Sequence, residues 1–351
     1  MAACRLRFLL PWSRPPALKW ILTILWITES VSSLSSALLL VTALLAGVGF
    51  GFVLSRRWQR LAGTDGRVSP PAGAARPAAP TLADDLALAV DRNELFLVHQ
   101  PKMRSRSGEI AAVESLVRWR HPVRGLIGPN DFIGLAEEHG QMRRITEWVI
   151  RQTLIEQRSL AACGHELDFN VNISARVLPD RDFAEWALAT VRGASGPIGF
   201  EITETAMIAD PEGALRNLHL FADAGIKISI DDYGAGLSSL AYLKQLPAKE
   251  LKIDRMFISG LSSSHRDPLL VRSTIDLAHA LDMEVTAEGV DSPAALALLR
   301  VMGCDVIQGF LIATPMPVGE LRAFLDARAD RGNADSYAVG FDWLSRGAVM
   351  R

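Results

Sequence analysis

"ISIDDYGAG", residues 228–236, decides how this chain folds. Ile226, Ile228 and Ile230 recur at every second position, the period of a strand with one face in a core. The strand then ends in two adjacent carboxylates, Asp231 and Asp232, followed by a turn bracketed by Gly234 and Gly236. Neighbouring acidic groups at the edge of an apolar core repel each other and lose hydration, so something of opposite charge must hold them there.

Working outward, similar short β-rich runs occur at "LFLVHQP", "IAAVESLVRW", "LDFNVNIS", "IGFEITE", "ELKIDRMFI", "EVTAEGV" and "VIQGFLI". Stretches at helical spacing separate most of them, among them the long "DFIGLAEEHGQMRRITEWVIRQTLIEQ" (131–157). Asp and Pro open several of these helices, and Gly193, Gly225 and Gly303 are placed to close others. Strand–helix alternation predicts an α/β fold with a parallel sheet covered by helices. Eight strands in roughly 250 residues favour a closed TIM (β/α)8 barrel over an open doubly wound sheet. No glycine-rich phosphate fingerprint follows the first strand, which also weighs against the open sheet.

The polar residues on these runs share a place. Glu114 lies on the second run, Asn172 near the end of the third, and Glu201 on the fourth with Glu204 just beyond it. Asp231 and Asp232 end the fifth, Lys252 is on the sixth, Glu288 on the seventh and Gln308 on the eighth. Each alone has an innocent reading: a hydrogen-bonded Glu, a capping Asn, a Lys252–Asp254 surface pair. In a barrel, however, the C-terminal strand ends meet on one face. At about 4 Å and an effective dielectric near 20, each carboxylate pair repels by roughly 4 kcal/mol. Such a cluster predicts cations, and hard oxygen ligands select Mg2+ or Mn2+.

"ESLVRWRHP" (114–122) resembles the signature of the EAL domain, the bacterial phosphodiesterase that hydrolyses cyclic di-GMP to linear pGpG. "HQP" (99–101), "PNDFIGLAEEHG" (129–140), "NVNIS" (170–174), "FEITET" (200–205), "DDYGAGLSSLAYL" (231–243), "LKIDRMFI" (251–258), "AEGV" (287–290) and "IQGFLIATPMP" (307–317) follow the same family in order. The resemblance implies a modified TIM barrel whose first strand runs opposite to the others, with two ions of Mg2+ or Mn2+. It implies that Glu114, Asn172, Glu201 and Asp231 ligate one metal and that Asp231 and Asp232 engage the second. Glu288 and Gln308 would complete the shell, directly or through water. Lys252 would position or deprotonate the attacking water, and Glu204 would pin the loop from Tyr233 to Ser239. Gln100, Leu116, Arg118 and Pro315 match positions that hold the substrate.

The sequence departs from the family pattern at Ser115 (Ala in the signature), His99 (usually Tyr), Tyr233 (usually Phe), Leu237, Asp291 and Thr314. None of these removes an expected metal ligand or the lysine, so an active phosphodiesterase is expected. A silent cyclic di-GMP receptor acting through a protein partner is the alternative.

The remainder of the chain is different in kind. "LSSALLLVTALLAGVGFGFVL" (34–54) carries no charge and has the length of a membrane span, with Arg56, Arg57 and Arg60 behind it. "ALKWILTILWIT" (17–28) is apolar but short, giving either a hairpin of two spans or an interfacial first segment. The expectation is a membrane anchor over 1–61, a Pro/Ala-rich linker over 62–81, a barrel over 82–330 and a tail over 331–351. That anchor implies a bacterial inner-membrane protein with its barrel in the cytoplasm, and a homodimer as in related domains. With 37 basic against 39 acidic residues the net charge is -2, which argues against a platform for nucleic-acid polymers. Three widely spaced cysteines suit neither a disulfide framework nor a zinc cluster.

Overall fold

The structure, a computed structural model, describes residues 81–203, 210–234, 243–261 and 266–334. The apolar segments 17–28 and 34–54 lie outside the described residues, as do residues 62–80 of the expected linker, residues 335–351 of the expected tail, and Glu204. Among the described residues no helix is long and apolar enough to cross a membrane.

Among the described residues nine strands form the sheet. They are β1 (Leu95–Arg104), β2 (Ile110–His121), β3 (Gly125–Ile127), β4 (Asp168–Asn172), β5 (Ile198–Thr203), β6 (Lys227–Tyr233), β7 (Glu250–Ile253), β8 (Glu284–Ala287) and β9 (Val306–Gln308). From β2 through β4 to β9, each successive barrel strand pairs in parallel with the one before. Strand β1 closes the circle, antiparallel to β2 on one side and to β9 on the other. The result is an eight-stranded barrel with one reversed strand, as the resemblance implied. Strand β3 stands outside that circle as the short partner of β2 across the turn at 122–124, and sequence alternation did not single it out.

The helices obey their local signals. Asp180, Asp210 and Ser292 cap α4 (Arg181–Val191), α5 (Pro211–Asp223) and α8 (Pro293–Met302) by accepting from backbone N–H groups of the first turn. Proline at the first helical position of α5 and α8 adds to this. The stretch 131–157, read above as one amphipathic run, is two helices, α2 (Pro129–Glu138) and α3 (Met142–Ala161). Gly140 sits between them at φ 66°, a left-handed conformation that a continuing helix cannot accommodate. Gly303 caps α8 in the left-handed region, whereas α4 ends with Arg192 and makes no such use of Gly193. The other helices among the described residues are α1 (Leu82–Ala89), α6 (Arg255–Ser259), α7 (Asp267–Ala280) and α9 (Val318–Ala334).

Two layers of side chains follow from the strand period. Phe169, Val171, Phe200, Ile228 and Leu251 are fully buried between barrel and helices. The opposite faces of the strands carry Lys102, Glu114, Asn170, Glu201, Glu250 and Lys252, buried inside the barrel. An interior of charged groups on apolar walls is costly unless every charge is matched.

Candidate active site at the barrel mouth

The C-terminal strand ends bring the expected residues together. Glu114, Glu201 and Asp231 each offer an oxygen within 4.8 Å of the others, and so do Asp231, Asp232 and Glu288. Asp231 belongs to both groups. Adjacent strand residues ordinarily face opposite sides of a sheet, so a regular β6 would send one of the two aspartates away. The pairing of β6 with β7 instead slips between Ile230 and Tyr233, and Asp232 takes φ 56°. That bulge swings Asp232 to the same side as Asp231, and the Asp231 Oδ1 accepts from the Asp232 backbone N–H at 2.9 Å. Aspartate is among the few residues that adopt this conformation at modest cost.

A lysine occupies the centre. Lys252 Nζ lies 2.5 Å from Glu201, 2.6 Å from Glu288, 3.1 Å from Asp231 and 3.6 Å from Glu114. Burial alone would depress its pKa, but these four carboxylates raise it well above the ordinary lysine value. Its neighbour Asp254 caps α6 through the Met256 N–H, so the surface pair read from their spacing does not form. Burial would push Glu114 up, yet Lys252 and Lys102 hold its carboxyl below the usual range. Glu288 goes the other way: burial, with Asp231 and Glu114 nearby, outweighs Lys252 and pushes it up to about 8. Burial and then Asp231 raise Asp232.

Two amides complete the mouth. Asn172 Nδ2 donates to Glu114 Oε1 at 2.7 Å, and Gln308 Nε2 donates to Glu114 Oε2 at 2.6 Å. Gln308 Oε1 is buried and has no hydrogen-bond partner. An acceptor orphaned in this way, beside two groups of hard carboxylate oxygens, fits a divalent cation or its water shell. Of the expected substrate contacts, Gln100 Nε2 donates to the Ala313 carbonyl at 3.3 Å, and its Oε1 accepts from Gln308 at 3.2 Å. Arg118 is half-buried, donates to the Val117 carbonyl, and has its pKa lowered by burial. Leu116, two residues beyond Glu114 on the same strand face, and Pro315 are half-buried.

The profile of the EAL domain matches residues 83–315. This chain belongs to the EAL domain family. The cyclic di-GMP phosphodiesterase NbdA of Pseudomonas aeruginosa is 39% identical over 250 residues, covering 70% of this chain and 32% of that protein. The cyclic di-GMP phosphodiesterase PdeR of Escherichia coli is 37% identical over 239 residues, covering 67% and 36%. The chain thus spans about a third of these relatives' length. The solved structure of the PaMucR phosphodiesterase in complex with c-di-GMP shares 37% identity at a TM-score of 0.64, covering 68% of this chain and 98% of that one.

This EAL domain holds two interior residues that motif reading passed over. Lys102 Nζ donates to Glu201 Oε1 at 2.5 Å and reaches Glu250 Oε1 at 3.5 Å. Glu250 also accepts from Ser229 at 2.9 Å and Thr286 at 2.5 Å, and lies 3.0 Å from Lys227. Lys227 continues to Glu284, which pairs with Arg104. Charges of alternating sign therefore run from the floor of the EAL barrel, through Glu250, Lys102 and Glu201, to Lys252 at the mouth. Lysines thus supply much of the counter-charge that sequence reasoning assigned wholly to metal ions. The period was the available signal: Lys102 stands two residues from Gln100, and Glu250 two from Lys252, on shared strand faces.

Proposed function

We propose that this EAL domain hydrolyses one phosphodiester bond of cyclic di-GMP, giving linear pGpG. The observation that carries the reading is the pair of carboxylate groups sharing Asp231, built around Lys252 at the end of the barrel where this fold does its chemistry. The names of the relatives and of the solved complex supply the substrate class. Glu114, Asn172, Glu201 and Asp231 would hold one ion of Mg2+ or Mn2+; Asp231 and Asp232 would hold the other, with Glu288 and Gln308 completing the shell. Such ions, when bound, neutralise phosphate charge and acidify a water.

The chain's own residues do the rest. Lys252, held within 3.6 Å of Glu201, Glu288, Asp231 and Glu114, would position or deprotonate the attacking water at the mouth. Gln308 and Asn172 fix both oxygens of Glu114, so its carboxylate is aimed before anything binds. Gln100, Arg118, Leu116 and Pro315 border the mouth where a dinucleotide would lie, and Glu204 would brace the loop beyond β6. The apolar run 34–54 would anchor the domain at a bacterial inner membrane, as a homodimer; fractionation of cells and crosslinking of the full chain test those two points.

Incubating the purified protein with cyclic di-GMP and Mg2+ or Mn2+ tests the central reading. Linear pGpG is expected, with turnover abolished in Glu114→Ala and in Lys252→Ala. Binding without product at any metal concentration would reduce the protein to a receptor, and absence of both would overturn the reading altogether.

A further inference from the structure

Two of the positions at which the sequence departs from the family pattern touch each other. His99 on β1 is fully buried, and its Nδ1 lies 3.2 Å from the Ser115 Oγ on β2. Its Nε2 lies 2.5 Å from Oε2 of Glu156 on α3, whose other oxygen accepts from Gln152 at 2.6 Å. The ring meets Phe169 edge-on at 5.3 Å. These side chains face the helix layer, behind the barrel wall. On the opposite face of the same strands stand Gln100 and Glu114, cross-strand partners one step along from the His99–Ser115 pair. The His99 backbone is tied as well: its N–H donates to the Met316 carbonyl at 2.7 Å, and the Met316 N–H returns a bond to the His99 carbonyl at 3.0 Å. Met316 follows Pro315 directly.

We propose that His99, Ser115 and Glu156 are positioning residues that fix the substrate side of the mouth. Three other pieces of chain bond to His99 on β1: β2 and α3 at its ring, and the segment after β9 at its backbone. Together with β1 they carry Gln100, Leu116, Arg118 and Pro315, whereas Glu114, also on β2, is held separately by Asn172 and Gln308. Asp231 lies on β6, Lys252 on β7 and Glu288 just beyond β8, and the hydrogen bonds of His99 do not reach them. Loosening His99 therefore displaces the groups that grip the dinucleotide more than those around Lys252. The inference rests on the phosphodiesterase reading for its substrate.

Its test compares the full-length protein with His99→Leu, Ser115→Ala, Glu156→Gln and the double variant His99→Leu/Glu156→Gln. For His99→Leu and Glu156→Gln, KM and the calorimetric Kd for cyclic di-GMP should rise roughly 10-fold, a typical cost of losing a supporting partner, while kcat falls no more than ~3-fold. Ser115→Ala should move KM in the same direction by less. The double variant should be no worse than His99→Leu alone, because both changes break one network. Variants that lose thermal stability but keep the parental KM and Kd, or changes that multiply in the double variant, overturn the inference. A parent that binds without hydrolysing overturns only the catalytic reading, and the Kd comparison then decides the positioning role.

Discussion

Replacing Lys102 with methionine removes one positive charge from the barrel interior while keeping most of the side-chain volume. Two buried carboxylates lose a partner, Glu201 at 2.5 Å and Glu250 at 3.5 Å. Breaking a buried pair costs about 3–5 kcal/mol. Glu201 retains Lys252 and Asn170, and Glu250 retains Lys227, Ser229 and Thr286, so the low end, about 3 kcal/mol, is expected. For a barrel of this size each kcal/mol shifts Tm by about 2–4 °C, giving a fall of about 6–12 °C. The effect has a pH signature. Burial would raise the Glu250 carboxyl, but Lys102 and Lys227 hold it far below the usual range. A depressed carboxylate contributes stability above its unfolded pKa of about 4.3 that is lost as pH falls towards the folded value. Part of that contribution disappears with Lys102, so the Tm gap between parent and variant should hold steady from pH 7.5 to about pH 5 and narrow as pH falls below about 4.3 towards pH 2. Differential scanning calorimetry across that range measures it. A Tm loss under 2 °C, or a gap independent of pH, would refute the argument that Lys102 compensates buried charge.

Further expectations concern the mouth and its supports. Gly309→Ala would set a Cβ 2.1 Å from the Val290 carbonyl oxygen and 2.3 Å from its nitrogen; urea unfolding should show a loss above ~3 kcal/mol, since backbone must move. Asp232→Asn keeps a residue that tolerates φ 56° but removes a carboxylate, so turnover should fall at least ~100-fold with Tm nearly unchanged. Chelation should abolish turnover, and Mn2+ should restore both activity and a higher Tm through ligand linkage. With one charge fewer beside Glu201, Lys102→Met should need less divalent ion for half-maximal stabilisation; a higher requirement would contradict the electrostatic account.

The fold and the mouth were legible to different depths. Eight strands could be read because parallel barrel strands leave unmistakable apolar runs between helices, and polar residues at their C-terminal ends mark the face where function gathers. The break at Gly140 was visible as a residue but not as a boundary, because the apolar spacing continues past it on both sides. Strand β3 is too short to show a period. Lys102 and Glu250 went unremarked because a charged residue within a strand reads as a solvent-facing position unless the interior is already known to be polar. His99 and Ser115 stood out individually, yet their contact depends on the register of β1 against β2, which composition cannot supply.

The file of alternating charges through the barrel also marks the closure of the sheet. If β1 slid by one residue along its neighbours, Lys102 would turn towards the helix layer and meet apolar groups, while Glu201 and Glu250 would be left inside without it. A purely aliphatic lumen would tolerate such a slip far more cheaply. The reversed strand thus carries its own alignment key, and a misaligned barrel is penalised at the moment it forms rather than when it first meets a ligand.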